Sequence, residues 1–258
     1  MYTKITPLLL TYNEAPNIER VLERLDWAND IVVVDSVSTD GTREILARYP
    51  KVRVFERAFT THSEQWNFGL EQTGINTDWV LALDADYVLS CALVEEIRAL
   101  IEKPDVTGYL ASFEYCVNGR ALRGAAYPPV VALYRKSGAR YIQDGHTQRL
   151  LTDGKLARLK GRILHDDRKP LGQWLVAQAR YMRLEAEKLS LLAPGELGAA
   201  DRLRKLIVIA PVVMLFYCLF ARGNVFDGWP GIFYALQRTT AEAILSLFLL
   251  QRKLEGKP

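Results

Sequence analysis

Residues 5–35, ITPLLLTYNEAPNIERVLERLDWANDIVVVD, decide the fold because they read as a strand, a helix and a second strand. Ile5–Thr11 and Ile31–Val34 are apolar runs of strand length. The apolar residues between them are spaced as on one face of a helix: Ile18, Val21, Leu22 and Leu25. A helix that joins two strands is the unit of a mostly parallel sheet covered on both faces. The chain is therefore predicted to have an α/β fold.

The same alternation continues along the chain, with further strand-length runs at Val52–Phe55 and Trp79–Leu83. After Pro104 the pattern changes to strands and turns, which predicts an antiparallel addition to the same sheet. The strands of this addition are expected at Gly108–Cys116, Val130–Tyr134 and Arg158–Leu164. Helical spacing then returns at Gln173–Leu192. We expect one sheet followed by a helical region.

Composition excludes several classes of protein. The chain has 258 residues, of which 49% are hydrophobic, and a net charge of +3. This charge is too small to indicate a nucleic-acid partner, and no basic stretch is interleaved with aromatic residues. The three cysteines are isolated and lack CxxC spacing, which argues against a disulfide framework or a zinc site and fits a reduced cytoplasmic setting. No secretory signal is expected, because the amino terminus has only a short apolar core and no small-residue cleavage site.

Polar side chains follow the predicted strands at their carboxyl ends, where open α/β sheets bind ligands. The strand that begins at Trp79 runs directly into Asp84 and Asp86. On an extended chain these aspartates project from the same side, where their charges repel unless a cation lies between them. One or two carboxylates together with substrate phosphates form a usual site for Mg²⁺ or Mn²⁺. The alternative is a structural pair that precedes a helix capped by Ser90.

The phosphate-binding motifs of two large enzyme classes do not occur in the sequence. No GxGxxG follows a predicted strand, which counts against a dinucleotide-dependent oxidoreductase. No GxxxxGK[ST] occurs at all, which counts against a P-loop NTPase. There remains a nucleotide whose phosphates are neutralised by a metal ion and not by a glycine-rich loop. Nucleotide-sugar chemistry fits this description.

Four motifs taken together resemble those of the family 2 glycosyltransferases. They are LTYNEAPNIERVL, IVVVDSVSTDGT, HSEQWNFGL and WVLALDADYVLS, in this order along the chain. A later stretch, LHDDRKPLGQWLVAQARYM, extends the likeness toward the branch that adds a sugar to lipopolysaccharide core or related envelope glycans. The resemblance implies a GT-A fold, in which helices flank a Rossmann-like, mixed and mostly parallel sheet. It also implies inverting transfer from a nucleotide-sugar donor, with a UDP-hexose as the first expectation, to a glycan or glycolipid acceptor.

The resemblance assigns roles to individual residues. Those expected to bind the nucleotide sugar are Thr11, Tyr12, Glu14, Asp35, Ser38, Gln65, Asn67, Asp84 and Ala85. Asp86 is expected to bind the metal ion directly, with His165 as a second ligand. For His165 the alternative is a structural histidine. For Gln65 and Asn67 the alternative is an ordinary solvated helix face.

The general base is expected in the stretch YIQDGHTQRL, because the base must reach the acceptor hydroxyl. Related enzymes often have His-Glu in this region, but Thr147 stands where the glutamate would fall and cannot act as a base at neutral pH. Asp144 is therefore the first candidate and His146 the second. A further departure is Tyr87, where relatives often have the glutamate of DADE. No role can be copied from that glutamate.

We expect residues 1–170 to form the nucleotide-sugar-binding and catalytic domain and residues 171–258 to form a helical, apolar carboxyl-terminal extension. Within the extension, Leu206–Phe220 is apolar throughout but shorter than the roughly 20 residues that cross a bilayer. Basic residues flank it on both sides. This pattern favours peripheral contact with lipids at the inner, cytoplasmic face of the cell membrane. A buried packing or dimer surface and true insertion remain alternatives, and the oligomeric state stays open.

Three other functions are compatible with parts of the pattern. A polyprenyl-phosphate sugar synthase has the same fold and needs no strong base, because its acceptor is a lipid phosphate. A nucleotidyltransferase also uses paired aspartates and Mg²⁺, but LTYNEAPN lacks the glycine-rich basic loop of that class. An inactive relative would bind the nucleotide without turnover.

Overall fold

The computed structural model describes residues 2–144 and 147–256 and divides the chain into two compact units. The units are Met1–Gly119 with Tyr127–Arg168 (unit 1) and Arg120–Ala126 with Lys169–Pro258 (unit 2). Unit 1 contains the sheet and its covering helices. Unit 2 is mainly helical.

Strands occur from the amino terminus to the end of unit 1. In chain order they are β1 (Ile5–Thr11), β2 (Ile31–Asp35), β3 (Val52–Glu56), β4 (Trp79–Asp84), β5 (Tyr87–Leu89), β6 (Val106–Val117), β7 (Arg120–Ala121), β8 (Val130–Arg135), β9 (Arg140–Asp144), β10 (Thr147–Leu151) and β11 (Lys155–His165). Of these, the short β7 belongs to unit 2. The predicted strands therefore form, each with bounds close to those expected.

Helices occur in both units. In chain order they are α1 (Ile18–Glu23), α2 (Thr42–Leu46), α3 (His62–Gln72), α4 (Cys91–Ala99), α5 (Leu171–Leu191), α6 (Ala199–Arg204), α7 (Ile209–Phe216) and α8 (Gly228–Leu254). A π-helical turn (Tyr217–Ala221) follows α7 directly, and a 3-10 turn (Asn224–Asp227) precedes α8. Ser90 caps α4 by accepting a hydrogen bond from the backbone N–H of Leu93, as the sequence predicted.

The main sheet of unit 1 has the strand order β3-β2-β1-β4-β8-β6-β11-β5. Strands β3, β2, β1 and β4 are parallel to one another, as the alternation of strands and helices predicted. Strand β8 is antiparallel to both β4 and β6, which confirms the antiparallel addition for this strand. The prediction is wrong for β11, which is parallel to β6 and antiparallel only to β5. Turn residues mark where a strand ends, but they do not determine which strand it pairs with.

Helices cover both faces of the parallel part of the sheet, which explains why its strands are apolar on both sides. Successive strand residues point to opposite faces. Leu9 therefore packs in the core that contains α1, whereas Leu8 packs in the core that contains Trp66 and Leu70 of α3. All four strands of this part end at one edge, because they are parallel. Burial of each such leucine stabilises the fold by about 1.5–3 kcal/mol.

Strands β9 and β10 form a separate two-stranded hairpin that packs on α3. The side-chain amide of Asn67 donates to the backbone carbonyl of Tyr141 at 2.9 Å and accepts from its N–H at 2.8 Å. The rings of Trp66 and Tyr141 stack at 5.3 Å. These contacts hold β9 against α3, because Asn67 bonds to both the N–H and the carbonyl of Tyr141 as a paired strand would.

Unit 2 has a core of its own between α5 and α8. It contains Met182, Ala186, Leu189, Ala241, Leu245 and Leu249. At the side of this core the guanidinium of Arg204 lies 3.5 Å from Glu185 and 2.9 Å from Glu242, and both carboxylates are buried. The charge of Arg204 is therefore balanced by carboxylates of the same unit.

Among the described residues, each helix taken singly is too short or too polar to cross a membrane. Ile209–Ala221 and Asn224–Leu254 have the required length and apolar character only when combined, and the two segments are bent by 67°.

Candidate functional site

The loops that follow β1 and β2 are joined at the carboxyl edge of the sheet in unit 1. The backbone N–H of Asn13 donates to Ser38 Oγ at 2.8 Å, and Asn13 Oδ1 accepts from the N–H of Thr39 at 2.9 Å. The N–H of Glu14 donates to Thr42 Oγ1 at 2.8 Å. The two loops therefore form one wall, although they belong to different strands.

Three of the predicted donor-binding residues, Thr11, Asp35 and Ser38, meet in this wall. Asp35 is the last residue of β2 and is fully buried. Its Oδ2 accepts from Thr11 Oγ1 at 2.8 Å and from Ser38 Oγ at 2.6 Å, and its Oδ1 accepts from the N–H of Ser38 at 2.8 Å. These bonds give the carboxylate the role of fixing the loop. Its contact with a nucleotide base stays a prediction.

The wall presents two exposed apolar side chains, Tyr12 and Val37. They are 53% and 45% exposed. Val37 has a φ of 64°, an arrangement that costs a β-branched residue about 1–3 kcal/mol and requires support from its surroundings. The bonds between Asp35 and Ser38, on either side of Val37, provide that support. The ring of Tyr12 is exposed, and its contact with a nucleotide base stays a prediction. Val37 was not among the residues that the sequence pattern indicated.

Glu14 points into the fold, where a buried asparagine holds it. The amide nitrogen of Asn17 donates to Glu14 Oε2 at 2.8 Å and to Asp167 Oδ1 at 2.9 Å. Its carbonyl oxygen accepts from Arg20 Nη2 at 2.7 Å and from the N–H of Arg168 at 2.9 Å. Asn17 is fully buried. It therefore ties the loop after β1 to the segment that follows β11, and Glu14 takes part in this tie.

Asp166 is the second centre of the same network. Its carboxylate accepts from Arg20 at 2.8 Å, from Arg168 at 3.0 Å and from the N–H of Gly119 at 3.1 Å. Burial lowers the pKa of Arg20, and the attraction of Asp166 only partly offsets this effect. Sequence reasoning missed the network. Its members come from two segments of the chain that are 150 residues apart, so no local pattern could have indicated it.

The segment Asp84-Ala85-Asp86 turns sharply after β4. β4 ends at Asp84, the next two residues form a turn, and β5 begins at Tyr87. The expectation that an extended chain carries both aspartates on one side is therefore wrong, because the chain is not extended through Asp86. Ala85 is buried in the core. Both aspartates nevertheless act on the same neighbours, since each contributes to the pKa shifts of Tyr87 and His165.

Asp86 and His165, the two predicted metal ligands, are brought together by the pairing of β5 with β11. His165 Nε2 lies 3.1 Å from Asp86 Oδ2. Burial by itself lowers the pKa of His165. The charge and hydrogen bond of Asp86, together with smaller contributions from the charges of Asp167 and Asp84, outweigh this effect and raise the pKa overall. The ring's Nδ1 is buried and has no hydrogen-bond partner among residues 2–144 and 147–256. The imidazole therefore faces Asp86 with its Nε2 atom.

Four aromatic rings surround the imidazole of His165. Their centroids lie 4.8–6.0 Å from its own, and they belong to Tyr87, Phe113, Tyr115 and Tyr127. Tyr87 also carries a hydroxyl group, and its ring contacts Phe113 with 4.9 Å between the centroids. Burial, followed by the charges of Asp84 and Asp86, raises the pKa of this hydroxyl well above its usual value. The aromatic cage was missed at the sequence level, because its members come from separate segments.

Gln65 and Asn67 make bonds within the fold. Gln65 is buried, its amide nitrogen donates to Ser36 Oγ at 2.9 Å and to the carbonyl of Arg57 at 3.0 Å, and the guanidinium of Arg57 donates to its Oε1. Asn67 is engaged by Tyr141. Neither side chain lies on a solvated helix face of the kind considered as the alternative, and their contact with the donor stays a prediction.

The structure describes one of the two base candidates, Asp144. Asp144 is the last residue of β9 and is opposite Thr147 in the hairpin register. Thr147 Oγ1 donates to the backbone carbonyl of Asp144 at 3.0 Å. His146 lies outside the described residues. The role of Asp144 as a base stays a prediction.

We searched the described residues for groups of side chains that could ligate a metal ion. No group of three or more His, Cys, Asp or Glu side chains there is arranged to hold a metal ion. Asp86 and His165 form a pair.

Comparison with known proteins decides the family. The sequence model of Glycosyl transferase family 2 matches residues 8–158 of the 258. The chain belongs to glycosyl transferase family 2. Membership of this family implies an activated sugar donor and an acceptor, and it confirms the resemblance found in the motifs.

Two curated relatives of this family 2 glycosyltransferase differ in the share of the chain that they match. LpsC of Rhizobium meliloti, a lipopolysaccharide core biosynthesis glycosyltransferase, is 25% identical over 226 residues, which cover 82% of the chain and 79% of LpsC. An uncharacterized glycosyltransferase of Rickettsia bellii is 35% identical over 109 residues, which cover 42% of the chain. That alignment spans only 36% of the Rickettsia protein's own length.

A solved structure confirms the predicted fold class. Residues 1–349 of S. aureus TarS, crystallised in complex with UDP-GlcNAc, match the family 2 glycosyltransferase with a TM-score of 0.50 and 16% sequence identity. The match covers 98% of this chain and 92% of the TarS chain. The sheet and its flanking helices are thus those of a GT-A-like fold.

Proposed function

We propose that this family 2 member is a metal-dependent, inverting glycosyltransferase that moves a hexose from UDP to a lipopolysaccharide-core or other envelope glycan. The observation that carries the proposal is the pairing of Asp86 and His165 beside Asp84, at the carboxyl edge of the parallel sheet. Ligands of open α/β sheets bind at this edge. This position supports our proposal that the pair acts on the diphosphate of a nucleotide sugar.

The residues fit Mg²⁺ or Mn²⁺. Asp86 Oδ2 and His165 Nε2 are 3.1 Å apart, and adjacent ligands of an octahedral ion with bonds of about 2.1 Å lie about 3 Å apart. A carboxylate oxygen suits both ions, and imidazole is acceptable to Mn²⁺. Two protein ligands leave positions for phosphate oxygens, as is usual for Mg²⁺. Bound there, the ion would supply positive charge that stabilises the departing diphosphate.

The chain's own residues would position the donor and accept a proton. Tyr12, which is exposed, would stack on the base, and the wall fixed by Asp35 would hold the ribose. The carboxylate of Asp144 would take the proton of the acceptor hydroxyl as the hydroxyl attacks the anomeric carbon, with His146 as the second candidate. A single displacement inverts the configuration at that carbon. The aromatic cage around His165 would keep bulk water away from the diphosphate side.

Two relatives indicate which substrates to test first. LpsC carries the name of a lipopolysaccharide core biosynthesis enzyme and aligns over most of its length, which supports an envelope glycan acceptor. TarS was crystallised with UDP-GlcNAc, which makes UDP-hexoses the first donors to test. An acceptor carried on a lipid would place the reaction at the cytoplasmic face of the cell membrane.

A transfer assay tests this proposal. Purified chain, Mn²⁺ and a labelled UDP-hexose are offered a core oligosaccharide in one reaction and polyprenyl phosphate in another. The proposal requires label on the oligosaccharide, an inverted anomeric configuration by NMR, and a loss of at least about 100-fold in Asp86→Asn. Asp153→Asn, an exposed aspartate elsewhere in unit 1, serves as the matched control. Equal activity of Asp86→Asn and the parent would overturn the metal assignment.

The same assay separates the competing functions. Label on polyprenyl phosphate alone would identify a lipid-phosphate sugar synthase, which needs no strong base because its acceptor is a phosphate. Binding of the donor without transfer to either acceptor would indicate an inactive nucleotide-binding protein. A thermal-shift screen with and without Mn²⁺ identifies the donor beforehand, because a ligand that binds only the folded form raises the melting temperature.

A further inference from the structure

One side of unit 2 exposes a continuous stripe of apolar side chains along α7 and the π-helical turn that follows it. The residues recur at four-residue intervals, which places them on one helix face: Val208, Ile209, Val212, Val213, Phe216 and Phe220. The rings of Phe216 and Phe220 stack at 5.9 Å. On the other side of the same segment, Ala210 and Cys218 are buried where it packs on α8. The packing of this segment on α8 therefore uses the opposite face and leaves the apolar stripe exposed.

The degree of exposure is unusual for such residues. Val208 is 74% exposed and Phe220 is 62% exposed. Phe226 and Trp229, which follow in the next turn and at the start of α8, are 74% and 82% exposed. Scattered exposed apolar residues need no explanation, but a contiguous row of this size marks an interaction surface. Tryptophan at its border is typical of proteins that lie at a membrane–water interface.

Charge indicates which partner covers the stripe. Residues 202–226 contain Arg202, Arg204, Lys205 and Arg222 but no aspartate or glutamate. Arg204 is paired with buried carboxylates of unit 2, whereas Arg202, Lys205 and Arg222 are exposed at the two ends of the stripe. A twofold pairing of two such stripes would bring cations of one copy against cations of the other. Anionic lipid headgroups would instead complement them.

Length decides between spanning a membrane and lying on it. Ile209–Ala221 is about 20 Å long at 1.5 Å per residue, which is shorter than the roughly 30 Å of hydrocarbon in a bilayer. The helical segment that follows departs at 67°. A short segment with one apolar face and basic ends is suited to the headgroup region, with its axis along the membrane surface.

We propose that the α7 stripe of unit 2 docks on an anionic bilayer, with its apolar side chains at the boundary of headgroups and acyl chains and with Lys205 and Arg222 at lipid phosphates. The interaction needs neither donor nor acceptor and does not rest on the proposed sugar transfer. It assigns a role to a surface that the nucleotide-binding edge does not use.

Flotation of the full chain with vesicles tests the proposal. One set of vesicles contains phosphatidylcholine alone and the other contains phosphatidylcholine with phosphatidylglycerol. The parent is expected to float with the anionic vesicles, and Phe216→Ser with Phe220→Ser is expected to lower the partition coefficient about tenfold or more. Lys205→Glu with Arg222→Glu is expected to abolish the preference for phosphatidylglycerol. Ile101→Ser, at an 80% exposed position of unit 1, is the matched control.

The outcomes that overturn the proposal are equally definite. A parent that does not float, or a Phe216→Ser, Phe220→Ser variant that floats as well as the parent, removes the lipid partner. A parent that sediments as a dimer and a double variant that sediments as a monomer would assign the stripe to a second copy of the chain. Circular dichroism and the melting temperature show that the variants are folded. Val208→Ser with Val212→Ser provides a second test should the phenylalanine pair prove necessary for folding.

Discussion

The ring of Tyr87 packs edge-on against the imidazole of His165, with 5.1 Å between the ring centroids, and the charges of Asp84 and Asp86 add to burial in raising the pKa of the Tyr87 hydroxyl. One tyrosine therefore contacts the imidazole of the Asp86–His165 pair and also senses the charges of Asp84 and Asp86. It acts through these residues, which makes it a positioning residue for the proposed metal and donor site.

Replacement of Tyr87 by phenylalanine should weaken binding of the Mn²⁺–nucleotide-sugar complex by about 5–30-fold, because it removes a polar group that interacts with the charges of Asp84 and Asp86. The melting temperature should change little, because the ring packing against Phe113 and His165 is kept. Isothermal titration calorimetry measures the affinity. Tyr109→Phe is the control, since the buried hydroxyl of Tyr109 has no hydrogen-bond partner among the described residues. Equal affinities in Tyr87→Phe and the parent would contradict the positioning role.

Replacement of Asn17 by alanine should destabilise unit 1 by about 2–4 kcal/mol. The substitution removes the amide shared by Glu14 and Asp167 and the carbonyl that accepts from Arg20 and Arg168. Buried polar groups left without partners are costly. Urea unfolding followed by circular dichroism measures the change. Asn29→Ala, at an exposed position, should stay within about 0.5 kcal/mol of the parent, and a similar result for Asn17→Ala would refute the role of the network.

Replacement of Asn67 by alanine separates a structural role from a donor-binding role. The amide holds the backbone of Tyr141 in both directions, so its loss should lower the free energy of unfolding by about 1–3 kcal/mol. The affinity of the folded protein for the nucleotide sugar should stay within about twofold of the parent. A variant of unchanged stability and strongly reduced donor affinity would instead support the donor-binding role that the family resemblance implies.

Asp40 should make stability depend on pH in the acid range. Burial raises the pKa of its carboxyl, but hydrogen bonds from the Thr42 side chain and from the N–H groups of Ala15 and Thr42 lower it overall. A folded-state pKa below the unfolded value of about 3.9 stabilises the protein above that pH, and this contribution is lost as the pH falls through the folded-state pKa.

Asp40→Asn should therefore be less stable than the parent at pH 7, and the difference should shrink as the pH falls below about 4. Urea unfolding of both proteins across this range measures it. Asp153→Asn controls for the general effect of one lost charge on an exposed site. A difference between Asp40→Asn and the parent that persists unchanged at low pH would show that the hydrogen bonds do not depend on ionisation.

Sequence patterns predicted much of the fold and part of the candidate site. Trp79–Leu83 was recognised as a strand by its apolar residues, and the position of Asp84 at its end follows from the chain itself. The turn at Ala85 was not recognised, because alanine and aspartate are compatible with both an extended and a turning chain. The burial of Asp35 and Gln65 could not be predicted either. Whether a polar side chain faces a ligand or another loop depends on neighbours that are distant in sequence.

The sequence by itself determined the alternation of strands and helices, the acidic residues at the strand ends and the apolar character of residues 206–220, because each is a local property of consecutive residues. Only the tertiary structure decided that β11 runs parallel to β6 and antiparallel to β5, and so brings His165 to within 3.1 Å of Asp86. Only the tertiary structure, likewise, showed that the amide of Asn17 joins the loop after β1 to the segment after β11. Pairing between distant segments is selected by the packing of the whole sheet, which local periodicity does not encode.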